Sequence, residues 1–177
     1  VSSALPQTRT DAPLASIGKS HLAVMLAAVT APVILLDQLS KHLVSTHLQL
    51  YATVALIPGW LDLTYTLNPG AAFSLFASMP AGFRQVFFIA LSIAAAVVLT
   101  ALLARRTTPV SSGIAFALIL GGTIGNLIDR VARGRVIDFI YFHHKSFSYP
   151  VFNLADSAIT TGVALVLLLS AFSSSDH

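Results

Sequence analysis

The chain has no cysteine, and it has no glutamate. Without cysteine there is no disulfide, no thiolate nucleophile and no Cys-based metal site, so any covalent catalysis has to use an oxygen or nitrogen nucleophile. Without glutamate all seven acids are aspartates, and the His-Glu-x-x-His helix of zinc peptidases is excluded. Charge of either sign is scarce, at 10% of 177 residues. The ten basic residues form no dense patch or arm, so the net charge of +3 does not point to nucleic acid; anionic lipid headgroups account for the surplus better. Neither a Gly-x-Ser-x-Gly nucleophile turn nor a Gly-x-x-x-x-Gly-Lys phosphate loop occurs. His143-His144 is the one histidine cluster, and with no carboxylate or cysteine framework beside it the pair reads as polar interfacial loop, with no metal site implied.

What the chain has in abundance is hydrocarbon. Apolar residues make up 55% of it and the mean hydropathy is +0.81, which describes a protein whose solvent is largely lipid. A helix needs about 20 residues to cross about 30 Å of hydrocarbon. Four segments reach that length, at about 22–43, 85–104, 109–128 and 156–173. Four spans put both termini on one side. Residues 1–20, polar and containing Pro, Ser and Thr, read as a disordered tail, and 21–177 as a single domain. A signal peptide competes for the first span, but Pro32 directly after Val29-Thr30-Ala31 would block cleavage there. Basic residues are divided almost evenly between the two sides, and only the tight Arg105-Arg106 turn weighs toward a cytoplasmic hairpin. Gly121, Gly122 and Gly125 in the third span form a small-residue ridge that lets a neighbouring helix approach closely.

Between spans one and two, Trp60 to Asn68 alternates apolar and polar residues, a strand signal that Pro69-Gly70 ends. Leu61, Leu63, Tyr65 and Leu67 share one face; Asp62, Thr64, Thr66 and Asn68 share the other. The expected architecture is mainly α: four transmembrane helices with a small extracytoplasmic β-sheet and surface segment, about 44–82, between spans one and two.

The acids carry the chemistry. Asp37 and Lys41 are spaced i, i+4, as in a helix-end ion pair. Asn126, Asp129 and Arg130 fall on one face at the end of span three. Asn153 and Asp156 stand three apart at the start of span four, the spacing of an N-cap and a first-turn acid. Each of these alone is explained by capping and pairing. Asp138, in Val-Ile-Asp-Phe, is not, because no cation lies within two residues of it. Two carboxylates brought together beside the bilayer do not both ionise, since repulsion and desolvation leave one proton shared, and one shared proton makes an acid and a base.

Four ordered blocks resemble the bacterial signal peptidase II (lipoprotein signal peptidase) family of membrane aspartic proteases. They are Asp37-Gln38-Leu39-Ser40-Lys41; Asn68-Pro69-Gly70-Ala71-Ala72-Phe73; Gly122 to Arg130 with Gly134-x-Val136-x-Asp138-Phe139; and Phe152-Asn153-x-Ala155-Asp156-Ser157. The match spans nearly all of the chain after the tail. The resemblance implies Asp138 and Asp156 as the catalytic dyad, Asn68, Asn126, Arg130 and Asn153 as residues lining or supporting the site, and Asp37, Lys41 and Asp129 as structural ionic positions. It implies no cofactor and no metal. It further implies a diacylglyceryl-modified prolipoprotein as substrate, cut on the N-terminal side of the lipidated cysteine. Localisation would be the inner membrane, with cytoplasmic termini, an extracytoplasmic active site and a flexible flap over it. Membrane lipids are the other implied partner, and nothing demands more than a monomer. Asp156, on a helix N-terminal turn where the dipole favours anions, is the expected ionised member, and Asp138 the protonated one. The leading rival is a proton-coupled transporter or channel, which calls for acids near the bilayer midplane and repeated or broken helices. Here every membrane-associated acid lies toward a helix end. A scaffold whose acids only cap and pair is the third reading.

Overall fold

The structure is a computed structural model that describes residues 21–70, 80–105 and 107–173. The 1–20 tail, and the flap with its Ala71-Ala72-Phe73 motif stretch, therefore fall outside the described residues. Four helices are long and apolar enough to cross a membrane: α1 His21–His47, α2 Ala81–Leu103, α3 Val110–Arg133 and α4 Leu154–Ser173. Their outward faces carry large apolar side chains such as Leu35, Val86, Val97 and Leu167. Such surfaces are costly in water and ordinary in lipid.

α1 contains a π-helical stretch, Leu26–Thr30, just before Pro32. Proline has no N–H to continue the ladder and its ring crowds the preceding turn, so the helix widens locally, with the Ala31 N–H bonding to Leu26 O. α3 is the central helix. Half of its apolar window is buried, against 11–17% for the other three. Its glycine ridge makes this possible: a Cβ on Gly122 would collide with the Ala155 carbonyl of α4, and one on Gly125 would lie 2.6 Å from Asp37 Oδ2 of α1. Thr30 adds a buried hydrogen bond to Ala117 O at 3.1 Å. α3 ends at Gly134, whose φ of +72° is the left-handed turn glycine adopts freely, with its N–H bonded to Arg130 O.

The sheet is antiparallel in the order β1 (Thr53–Ile57), β2 (Leu61–Asn68), β3 (Val136–His144) and β4 (Phe147–Ser148). β2 occupies the expected alternating segment. The difference from expectation is that half of the sheet comes from between spans three and four, because β3 pairs along β2 from Leu61↔Phe142 to Asn68↔Val136. The pairing slips by one residue between Leu63 and Thr66. Leu63, Tyr65 and Leu67 pack with Ile137, Phe139, Val44 and Leu154, which seats the sheet on the ends of α1 and α4.

Candidate active site

The site forms where the end of α3, the start of α4, the end of α1 and the β2–β3 pair meet. Gly134 turns the chain directly from α3 into β3, so Asp138 arrives opposite Thr66 and is 2% exposed. Thr66 Oγ1 donates to the Asp138 carbonyl at 3.1 Å, and Asn68 Nδ2 donates to Asp138 Oδ2 at 2.9 Å. Asn68 is itself held by the turn after it, its Oδ1 accepting the Gly70 N–H at 2.8 Å. Gly70 has a φ of +92° and packs so close to the Phe88 ring that a Cβ would lie 2.6 Å from it.

Asn153 ties the second aspartate to the first. Its Oδ1 accepts the Asp156 N–H at 2.9 Å, and its own N–H donates to Asp156 Oδ2 at 3.3 Å, a reciprocal cap on α4. Its Nδ2 then reaches back to Asp138 Oδ1 at 2.7 Å. Asn126, buried on α3, donates from Nδ2 to Asp156 Oδ1 at 2.7 Å. Each carboxylate thus receives two donors, and one asparagine serves both. Burial pushes the Asp138 carboxyl from its ordinary 3.8 up to about 7, and the negative charge of Asp156 adds to that. The amides of Asn68 and Asn153 and the charge of Lys41 oppose the rise without cancelling it.

Below the carboxylates lies a buried ionic cluster. Lys41, fully buried, donates to Asp37 Oδ2 at 2.8 Å, Asp129 Oδ2 at 2.9 Å and Asn126 Oδ1 at 3.0 Å. Asp129 also accepts from Arg133 at 2.8 Å and from the Ile137 N–H at 3.2 Å. Asp37 accepts the Ala155 N–H at 2.9 Å, capping α4 from another helix. Arg130 is placed differently: its guanidinium stacks over the Phe88 ring at 5.3 Å and donates to Asn126 O at 3.3 Å. Among the described residues it forms no ion pair, although it sits in the field of Asp156 and Asp138.

All nine residues singled out from sequence converge here. Sequence reasoning missed Gln38, whose Nε2 donates to Asp37 Oδ2 at 3.1 Å and Gly125 O at 3.0 Å, although it stands inside the first motif block. It also missed a cavity of about 340 Å³ beside Asp156, walled by Phe142, Tyr149 and Phe152 and by Ser157, Thr160 and Thr161. No local signal marks that cavity, because its walls come from a strand, a loop and a helix whose mutual packing sequence spacing does not show. Of the histidine pair, His143 Nε2 lies 2.9 Å from Asp62 Oδ2 and His144 stacks on Trp60 at 3.7 Å. Among the described residues no group of three histidines or acids is placed to hold a metal.

Four helices able to cross a membrane, a small antiparallel sheet, and a buried and a half-buried carboxylate joined by one asparagine at their junction fit one class, the multi-pass membrane aspartic peptidases. Comparison with known proteins agrees. The family model described as signal peptidase (SPase) II matches residues 29–172, and the chain belongs to that family. The lipoprotein signal peptidase of Syntrophus aciditrophicus is 40% identical over 147 residues, covering 82% of this chain and 91% of that one. That of Yersinia enterocolitica is 46% identical over 136 residues, covering 76% and 79%. A solved bacterial membrane enzyme superposes with a TM-score of 0.75 at 26% identity, over 89% of this chain and 91% of its own.

Proposed function

We propose that this chain removes the signal peptide from diacylglyceryl-modified prolipoproteins, cutting on the N-terminal side of the lipidated cysteine, with Asp138 and Asp156 as the catalytic dyad. The observation that carries the reading is the bridge through Asn153, which hydrogen-bonds both carboxylates, while burial pushes the Asp138 carboxyl up to about 7 and Asp156 accepts from Asn126 and the Asn153 N–H. One shared proton at neutral pH gives a base and an acid within one site.

In this mechanism ionised Asp156 takes a proton from water as its oxygen attacks the scissile carbonyl carbon. Protonated Asp138 donates to the developing oxyanion, giving a tetrahedral gem-diol and leaving one proton on the dyad. That proton passes from Asp156 to the leaving nitrogen as the C–N bond breaks, while one hydroxyl of the gem-diol returns its proton to Asp138, and the products are a signal-peptide carboxyl group and the free amine of the lipidated cysteine. The dyad recovers its starting protonation. No cofactor or metal enters. Asn68, Asn126 and Asn153 orient the carboxylates, Arg130 lines the site, and Asp37, Lys41 and Asp129 brace the helices behind it.

The acyl chains of the substrate anchor it in the bilayer, so enzyme and substrate meet by lateral diffusion and lipid packing contributes binding energy. Both termini are cytoplasmic and the site faces the extracytoplasmic side of the inner membrane. Residues 21–177 form one peptidase domain, with surface sheet and flap at about 44–82, following the 1–20 tail. It works as a monomer among membrane lipids. The test is reconstitution with a diacylglyceryl-modified prolipoprotein and mass spectrometry of the products. The expected pair is the intact signal peptide and a protein beginning at the lipidated cysteine. Uncut substrate, with dissipation of a proton gradient in the same vesicles, would instead support the transporter reading.

A further inference from the structure

Lys41 has three N–H donors, and each has one acceptor: Asp37 Oδ2, Asp129 Oδ2 and Asn126 Oδ1. An ammonium only donates. The atom that Asn126 turns toward it must therefore be the carbonyl oxygen, which aims the NH2 of that amide at Asp156 Oδ1, 2.7 Å away. We infer that Lys41 is a positioning residue of the active site, its ammonium fixing the Asn126 amide in the one orientation that presents donors to the dyad. This rests on Asp138 and Asp156 being the dyad.

The other bridging amide is fixed independently. Asn153 Oδ1 accepts the Asp156 N–H of the α4 cap, so Asn153 keeps its orientation as long as α4 begins where it does. The Asn126 oxygen has a weaker second anchor, the Nδ2 of Asn153 at 3.2 Å, whose two hydrogens are shared among three acceptors, the others being Asp138 Oδ1 at 2.7 Å and Ile137 O at 3.1 Å. If Lys41 were removed, two carboxylates would stand where its ammonium stood, and they attract an NH2 rather than a carbonyl. The amide would flip. A carbonyl would then face an Asp156 oxygen, the ionised dyad would be disfavoured, and the pair would hold a second proton to higher pH, leaving no base for water.

Among the described residues, the charged groups around Lys41 leave it as the only cation able to do this. Asp37 faces it from α1 and Asp129 from α3, while Arg133 bonds the Asp129 oxygen that points away from Lys41. Arg130 on α3 contacts the Asn126 backbone carbonyl and the Phe88 ring rather than the side-chain amide. Asp138 on β3 and Asp156 on α4 lie beyond the amides. Asp37 has a separate task, capping the Ala155 N–H, and the side-chain carbonyl of an asparagine in its place could still perform it. The ion pair can therefore be removed as a neutral unit, with Asp129 left as the one carboxylate that attracts the freed NH2.

The experiment uses the full chain in lipid with a diacylglyceryl-modified prolipoprotein. It compares the parent, Asp37→Asn/Lys41→Met, Asn126→Leu and the three changes combined, each checked for folded content. Expected for the paired variant is a KM within about twofold of the parent, a kcat lower by about 10–100-fold, as for other groups that orient a reacting residue, and an acid limb of the pH–rate profile moved to higher pH. Adding Asn126→Leu should lower kcat little further, because both changes remove the same donor. A kcat that only follows the folded fraction with an unmoved acid limb, or effects that multiply fully, would overturn the inference. If the paired variant does not fold, Asn126→Leu alone decides: the same limb shift is expected, and an unmoved limb overturns it. Asp138→Asn is run alongside. If it cleaves like the parent, the dyad itself is wrong and this inference falls with it; if it is inactive while the limb stays in place, only the role of Lys41 is wrong.

Discussion

Asp138 makes the stability of this protein depend on pH in a direction opposite to that of most carboxylates. Its carboxyl titrates near 7 in the folded protein and near 3.8 in the unfolded chain. Between those values the native state holds a proton that the unfolded state has released, and stability falls as pH rises wherever the native state binds more protons. The contribution is fully present below about pH 4 and lost once pH passes about 7. At about 1.4 kcal/mol per pH unit the full swing is about 4 kcal/mol, of which about 3 kcal/mol falls between pH 5 and pH 8. At 2% exposure, solvent screening reduces this little. Asp138→Asn removes the titration while keeping size and one of the two acceptor oxygens that Asn68 and Asn153 use; the lost acceptor lowers stability by a pH-independent amount that cancels when the curves are compared across pH. The assay is equilibrium unfolding of both proteins in the same micelles across that range. The stability of the parent minus that of the variant should decline by about 3 kcal/mol from pH 5 to pH 8. Parallel curves would show that Asp138 holds no extra proton in the folded state, whatever the absolute stabilities.

Three further outcomes follow from the same packing. Lys41→Met alone leaves Asp37 buried without a cation and Asp129 with Arg133 only, and should cost about 3–5 kcal/mol, read as lost folded protein in micelles; full stability would show that the cluster is not buried as described. Gly125→Ala gains about 1 kcal/mol of helix propensity, but its Cβ would lie 2.6 Å from an Asp37 oxygen held by Lys41 and Gln38, so the net effect should be a lower melting temperature. A higher one would contradict that packing. Treatment with a strong chelator should leave cleavage unchanged, and a loss restored by added metal would contradict the mechanism.

Much of this was legible in the sequence because lipid imposes simple rules. The four spans were readable from run length, and the acids stood out because a carboxylate beside hydrocarbon needs a partner. Local spacing reached its limit where partners come from different helices. The i, i+4 pair Asp37–Lys41 was visible, but Asp129, which looks like part of an interfacial helix end with Arg130, instead closes on Lys41 and Arg133. β3 was hidden because Val136–Phe142 reads as the fringe of a span, and only its pairing with β2 shows why Asp138 sits there. The π stretch before Pro32 was also illegible, since a proline in an apolar run signals a disturbed helix without saying how the helix absorbs it.

Whether the two aspartates act as one catalytic unit is decided by cleavage of a diacylglyceryl-modified prolipoprotein by the parent, Asp138→Asn and Asp156→Asn, after all three are shown to be equally folded. An active parent is expected, with cleavage reduced by at least about 1000-fold in each variant, since removing either member leaves no acid–base pair. Near-parental cleavage by either variant would contradict the dyad.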